Sequence, residues 1–135
     1  MLKEEELTRI IIKAFYKVYN TLGYGFLERV YHKALELELR NMGLTVHYKR
    51  RIEVYYEGVQ VGLYEADLVI NNKIIIEIKA AEGLHPAHEA QLVNYLRATE
   101  IEIGFLFNFG KEPQFVRKFF SNERKNLGQS QEERG

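Results

Sequence analysis

The sequence predicts an α/β fold, and three observations predict it. Two stretches near the N-terminus carry apolar residues at helical spacing. Three consecutive stretches then alternate or run apolar, with tight-turn residues between them. A last helical stretch, opened by a proline, leads into a nearly continuous apolar run. The order is α-α-β-β-β-α-β. A right-handed crossover through the late helix sets the fourth strand parallel to the third. The expectation is a four-stranded mixed sheet flanked by helices.

Each element has its own justification. In residues 4 to 20, Leu7, Ile10, Ile11, Ala14 and Val18 make one helical stripe. NTLGYG breaks it, punctuated by Gly23 and Gly25. The second helix runs from about Phe26 to Met42, with Gly43 fitting the C′ position. From Val46 to Tyr56 the residues alternate, as a half-buried strand requires. Glu57-Gly58 is a tight turn, and Val59 to Ile70 returns. Asn71-Asn72 turns again, and Lys73 to Ala80 is the third strand. Pro86 suits the first position of a helix that reaches about Thr99. Ile101 to Phe109 reads as a buried parallel strand. Pro113 follows, then the short alternating segment QFVRKFF. That segment is too apolar for a free tail and is expected to form a short strand or helix that covers the sheet edge or meets a second chain. Residues 1–120 are expected to form one domain, and 121–135 a polar, flexible tail.

Composition narrows the function classes. The chain has 135 residues and no cysteine, which excludes disulfides, thiolate zinc sites and a Cys nucleophile. That absence fits a reducing compartment, and the expected location is cytoplasmic. Acids stand near the N-terminus where a signal peptide carries bases, and no run approaches a membrane span. Lys plus Arg and Asp plus Glu are both 19, so the formal net charge is zero. Bulk charge therefore does not coat nucleic acid, although a local basic patch around an acidic site stays open.

One stretch breaks the apolar pattern. In YEADLVINNKIIIEIKA, Asp67 lies in one strand, with Glu77 and Lys79 in the next. A two-residue Asn71-Asn72 loop would pair Asp67 with Ile76 and set the two acids on opposite faces. A three-residue loop, or a one-residue bulge, pairs Asp67 with Glu77. It also leaves Leu68, Ile70, Ile74, Ile76 and Ile78 as one apolar layer, so this second register is expected. Facing carboxylates repel unless something positive lies between them. A hard divalent cation, Mg²⁺ or Mn²⁺, is one answer. An Asp–Lys–Glu salt-bridge cluster is the other.

Four further positions stand out. Glu28, in the first turn of the second helix, is in phase with Tyr31, Leu35, Leu39 and Met42. It is either a site residue or a carboxylate favoured by the helix N-terminus. Gln91 and Tyr95 share a face of the third helix, and His88 lies one turn earlier.

Asp67, then nine residues, then Glu77-Ile78-Lys79 resembles the D…ExK signature of the PD-(D/E)XK nuclease superfamily. Gly25-Phe26-Leu27-Glu28-Arg29-Val30-Tyr31 reads as GxxExxY. With HEAQLVNYL and GFLFNFG it makes residues 20 to 110 similar to the GxxExxY family of that superfamily. The "P" of the superfamily name is replaced by Ala66. The resemblance implies an αβββαβ restriction-endonuclease-like core and a metal-dependent nuclease acting on DNA. It implies that Asp67, Glu77 and the Ile78 carbonyl hold Mg²⁺ or Mn²⁺, with Glu28 as an additional or water-mediated ligand. Lys79 would position the attacking water, and Gln91 would orient Lys79 or the phosphate. Tyr95, His88, Tyr31, Lys49 and Arg51 are the expected substrate contacts, and a homodimer is the expected assembly. The alternative is a non-catalytic nucleic-acid-binding or dimerising scaffold that keeps the fold.

Overall fold

A computed structural model describes residues 4–125. Helices α1 (Glu5–Leu22) and α2 (Glu28–Asn41) precede the strands β1 (Val46–Tyr56), β2 (Val59–Ile70) and β3 (Ile74–Lys79). Helix α3 (Pro86–Arg97) then leads to β4 (Ile103–Phe109), β5 (Pro113–Phe119) and a 3₁₀ turn at Asn122–Arg124. The sheet order is β1-β2-β3-β4-β5. Only β3 and β4 are parallel. This is the predicted α/β core with one correction: the sheet has five strands, because Pro113–Phe119 pairs antiparallel with β4. Proline at the first strand position removes no ladder bond that the sheet needs.

The two faces bury different sets. Ile11, Phe15, Tyr31 and Leu35 of α1 and α2 pack on Leu68, Ile76, Ile78 and Phe107. Leu92 and Leu96 of α3 pack on Val69, Ile75 and Leu106. Burial of these side chains contributes about 1.5–3 kcal/mol each. Among the described residues, no helix is long and apolar enough to cross a membrane.

The turn after β2 sets the site. Asn71 and Asn72 both adopt left-handed backbone, and the Lys73 amide closes the turn on the Ile70 carbonyl at 2.9 Å. Lys73 is then one residue extra, so Ile70 pairs with Ile74 and Leu68 with Ile76. The loop is thus three residues in register, although its dihedrals are those of an Asn-Asn two-residue turn. The Asn71 side chain anchors it by accepting from the Thr45 amide at 2.8 Å.

A second irregularity lies opposite. The β1–β2 ladder pairs Tyr48 with Leu68 and Arg50 with Ala66, and skips Lys49 and Asp67 between them. Lys49 has φ 52°. Leu68 packs under α2 while Ala66 packs under α3, although residues two apart normally share a face. Asp67 therefore sits where β2 rolls over.

Part of the segment expected as a tail is described. Phe120 is buried, and Lys125 Nζ donates to the carbonyls of Thr99 (2.9 Å) and Ile101 (2.7 Å). Residues 121–125 are thus docked on the α3–β4 connection, and residues 126–135 of that segment lie outside the described part.

Candidate active site

The β2–β3 ladder ends at Leu68 and Ile76. Beyond that point carboxylates take over the bonding between strands. The Asp67 amide donates to Glu77 Oε2, and the Ile78 amide donates to Asp67 Oδ2, both at 2.8 Å. The two acids are therefore laced across the gap between the parting strands. Oδ1 of Asp67 and Oε1 of Glu77 make no hydrogen bond to a described residue.

Burial makes the pair electrostatically tense. It pushes the Glu77 carboxyl up to about 8; the Asp67 charge adds to the rise, and the Asp67 amide and Lys79 oppose it. Burial raises Asp67 as well, against His32, the Ile78 amide and Lys79. Close carboxylates in low dielectric do not both ionise freely, so the pair titrates as a unit.

His32 was not picked out by the sequence reading. Its Nε2 lies 3.5 Å from Asp67 Oδ2 and 4.0 Å from Glu28 Oε2. The available signal was its i,i+4 spacing from Glu28 and its place beside Tyr31 on the inner stripe of α2. Glu28 itself is 47% exposed and meets the pair across this imidazole, its charge adding to the rise of both Asp67 and Glu77. It is not a third converging carboxylate, and among the described residues no three His, Asp or Glu side chains close on a common point.

Lys79 follows on β3, and its ammonium makes no hydrogen bond or ion pair with a described residue. Its charge nevertheless acts on Asp67, Glu77 and His88. From the other side, Gln91 Nε2 donates to the Tyr95 hydroxyl at 2.7 Å. Burial, then the Glu77 charge, pushes the Tyr95 phenol up to about 12. Gln91 is thus tied to Tyr95, not to Lys79.

The other expected contacts divide. Tyr31 is fully buried, and its hydroxyl donates to the Gly23 carbonyl (2.7 Å) and accepts from the Phe26 amide (3.2 Å). It holds the loop before α2 and has no exposed surface in this structure. His88 Nδ1 accepts from the His85 amide at 3.2 Å and completes the cap of α3. Burial, then Lys79 and His85, pulls its imidazole below the usual value. Lys49 and Arg51 are exposed on β1, with Lys49 Nζ 5.4 Å from the Tyr48 ring.

A family model for the PD-(D/E)XK nuclease superfamily matches residues 5–119. The chain belongs to that superfamily. Two solved structures share its fold. SSO0001 has a TM-score of 0.53 at 22% identity, with 96% of this chain and 66% of that one covered. An alkaline exonuclease from Laribacter hongkongensis has a TM-score of 0.51 at 11% identity, with 98% and 78% covered. The chain thus spans about two thirds of the length of SSO0001. No curated protein matches it by sequence.

As the superfamily's members typically use divalent metals, the donor set is a test of fit. Two hard oxygen ligands with raised proton affinity and no soft donors suit Mg²⁺ or Mn²⁺. Mg²⁺ is commonly held by one or two carboxylates and completes its shell with water and substrate phosphate. Asp67, Glu77 and the Ile78 carbonyl are the residues that would hold it.

Proposed function

We propose that this chain is a metal-dependent nuclease that hydrolyses phosphodiester bonds of DNA. The observation that carries the reading is the buried Asp67–Glu77 pair, laced between parting strands and followed directly by Lys79. Bound there, a divalent cation would acidify a water and neutralise charge on the phosphate. Lys79 is free to hold that water or a phosphate oxygen by its three donors. Gln91 and Tyr95 close the side of the site next to Glu77, and His32 holds Asp67 in place while linking it to Glu28. The GxxExxY assignment within the superfamily rests on Gly25, Glu28 and Tyr31. Tyr31 fixes the loop that delivers Glu28.

The scaffold reading draws on a specific observation: three ligating side chains do not converge among the described residues. Cleavage of supercoiled, linear and single-stranded DNA with Mn²⁺, beside Lys79→Ala and chelator controls, separates the two. Chelator-sensitive, Lys79-dependent cutting supports the nuclease. Mn²⁺ binding without cutting of any form supports the scaffold. A homodimer is proposed through β5, an edge strand with no further strand beside it among the described residues. Light scattering that shows a monomer at all concentrations rules it out.

A further inference from the structure

Beside Lys79 the surface opens into a cleft of about 410 Å³, in the size range of small-molecule sites. Its walls are Tyr24 and Phe26 from the α1–α2 loop, Ala80 and Ala81 after β3, and Phe109 and Gly110 at the end of β4. Ala80 directly follows Lys79 and Phe26 lies two residues before Glu28, so the cleft borders both segments that carry the candidate active site.

The walls are held from behind. The Tyr31 hydroxyl ties the Gly23 carbonyl to the Phe26 amide. The Tyr19 hydroxyl reaches the carbonyls of Gly110 (3.0 Å) and Lys111 (2.6 Å). Asn108, fully buried, accepts from the Ala81 amide and donates to the Ala81 carbonyl, each at 2.9 Å. A Cβ on Gly110 would come within 2.3 Å of the Ala81 carbonyl, so only glycine lets these two walls meet. Three loops are thus fixed by three polar side chains. The rings of Tyr24 and Phe26 nevertheless stay 58% and 50% exposed at the mouth. Rings that served only to fill the core would be covered.

We propose that this cleft is a stacking subsite for one unpaired nucleobase of the strand being cut. The proposal rests on the nuclease reading and adds a substrate feature to it. Glu82 and Lys111, also on the lining, oppose each other in sign, so the cleft has no net attraction for phosphate. Flat apolar faces in rigid walls suit a base, and stacking accepts any base because each has a π-face. A base inside a duplex cannot enter without leaving the stack. The preferred substrate is therefore a single strand, a flap or a frayed end.

The test is equilibrium binding of the full chain, with Ca²⁺ replacing Mn²⁺. Probes are a fluorescent single-stranded oligonucleotide, the same strand with one abasic position scanned along it, and a blunt duplex. The single strand should bind more tightly than the duplex, and one abasic position should weaken binding by about 5- to 150-fold. That position should have no further effect in Phe26→Ala, and Phe26→Tyr should restore it. Phe26 lies against the Tyr31 ring, so Tyr24→Ala is the second variant if Phe26→Ala loses its thermal transition. A flat abasic scan, or an aromatic variant that weakens intact and abasic strands equally, overturns the subsite. Cleavage with a flat scan leaves the nuclease reading standing alone. A position-dependent scan without cleavage under any cation keeps the subsite and removes the nuclease. No binding of any strand overturns both.

Discussion

The two ends of the β2–β3 pair contrast sharply. At the inner end, Leu68, Val69 and Ile70 face Ile76, Ile75 and Ile74 in a regular ladder, and all six side chains are buried in apolar surroundings. At the outer end the same strands carry Asp67 and Glu77, and side-chain oxygens replace the carbonyls that a ladder would use. The inner end is satisfied and apolar, so it stabilises the fold. The outer end has one bonded oxygen on each carboxylate and is unsatisfied in the other oxygens and in charge. Two buried carboxylates this close raise each other's affinity for a proton, and the proposed cation would take that proton's place.

Substitution at the two ends should separate these roles. The largest effect is expected at the outer end. Asp67→Asn and Glu77→Gln keep shape and remove charge, so both should lose cation-dependent cleavage by a factor on the order of 10⁴ or more. Both should melt no lower than wild type in chelator, because a buried charge has gone. A clear drop in their melting temperature would give these acids a structural role instead. At the inner end, Ile76→Ala should cost about 2–5 kcal/mol in denaturant unfolding. Turnover per folded molecule should hold.

Lys79→Ala sharpens the comparison within the outer end. An ammonium has no lone pair to offer a metal, so calorimetric Mn²⁺ affinity should be unchanged while turnover falls by about 10²- to 10³-fold. Equal loss of both would make Lys79 a structural counter-ion to the acids. Asn108→Ala should cost about 1–3 kcal/mol in chemical denaturation, because the buried Ala81 amide and carbonyl lose their partner. An unchanged midpoint would show that other groups hold that wall.

The smallest effect is a pH slope. The folded Glu77 carboxyl sits at about 8 and its ordinary value is 4.5. Between these values the folded state binds more protons than the unfolded one, so metal-free stability is greatest below about 4.5 and declines toward 8. The slope for one proton is at most about 1.4 kcal/mol per pH unit. Glu77→Gln should flatten this decline in melts taken across pH 5 to 8. Saturating Mn²⁺ should flatten it too, since the cation takes the place of the proton. A decline of the same steepness in Glu77→Gln would assign it to other groups.

The inner end was legible in the sequence and the outer end only in part. The apolar layer of β2 and β3 forced the three-residue register over the two-residue turn that Asn71-Asn72 suggests. Both rules turned out to hold at once, because Lys73 is the extra residue. That register is enough to set Asp67 beside Glu77. The roll of β2 at Asp67 was not legible, since it depends on the left-handed backbone of Lys49 across the ladder. His32 and the indirect position of Glu28 depend on how α2 docks, which spacing within one helix does not fix. The fifth segment was expected as a short strand or helix, left open because Pro113 opens it and mixed Arg117 and Lys118 dilute its pattern; it is a strand. Its apolar content still marked it as covered. The loop bonds of the Tyr31 hydroxyl were not legible either, since they depend on how the Gly23–Phe26 turn folds back on α2.

The central claim is that Asp67 and Glu77 form a cation site, and calorimetric titration of Mn²⁺ at pH 7 tests it most directly. Wild type should bind the ion with measurable heat, and Asp67→Asn and Glu77→Gln, both folded, should each lose that heat. No heat in wild type, or the same heat in all three proteins, would contradict it.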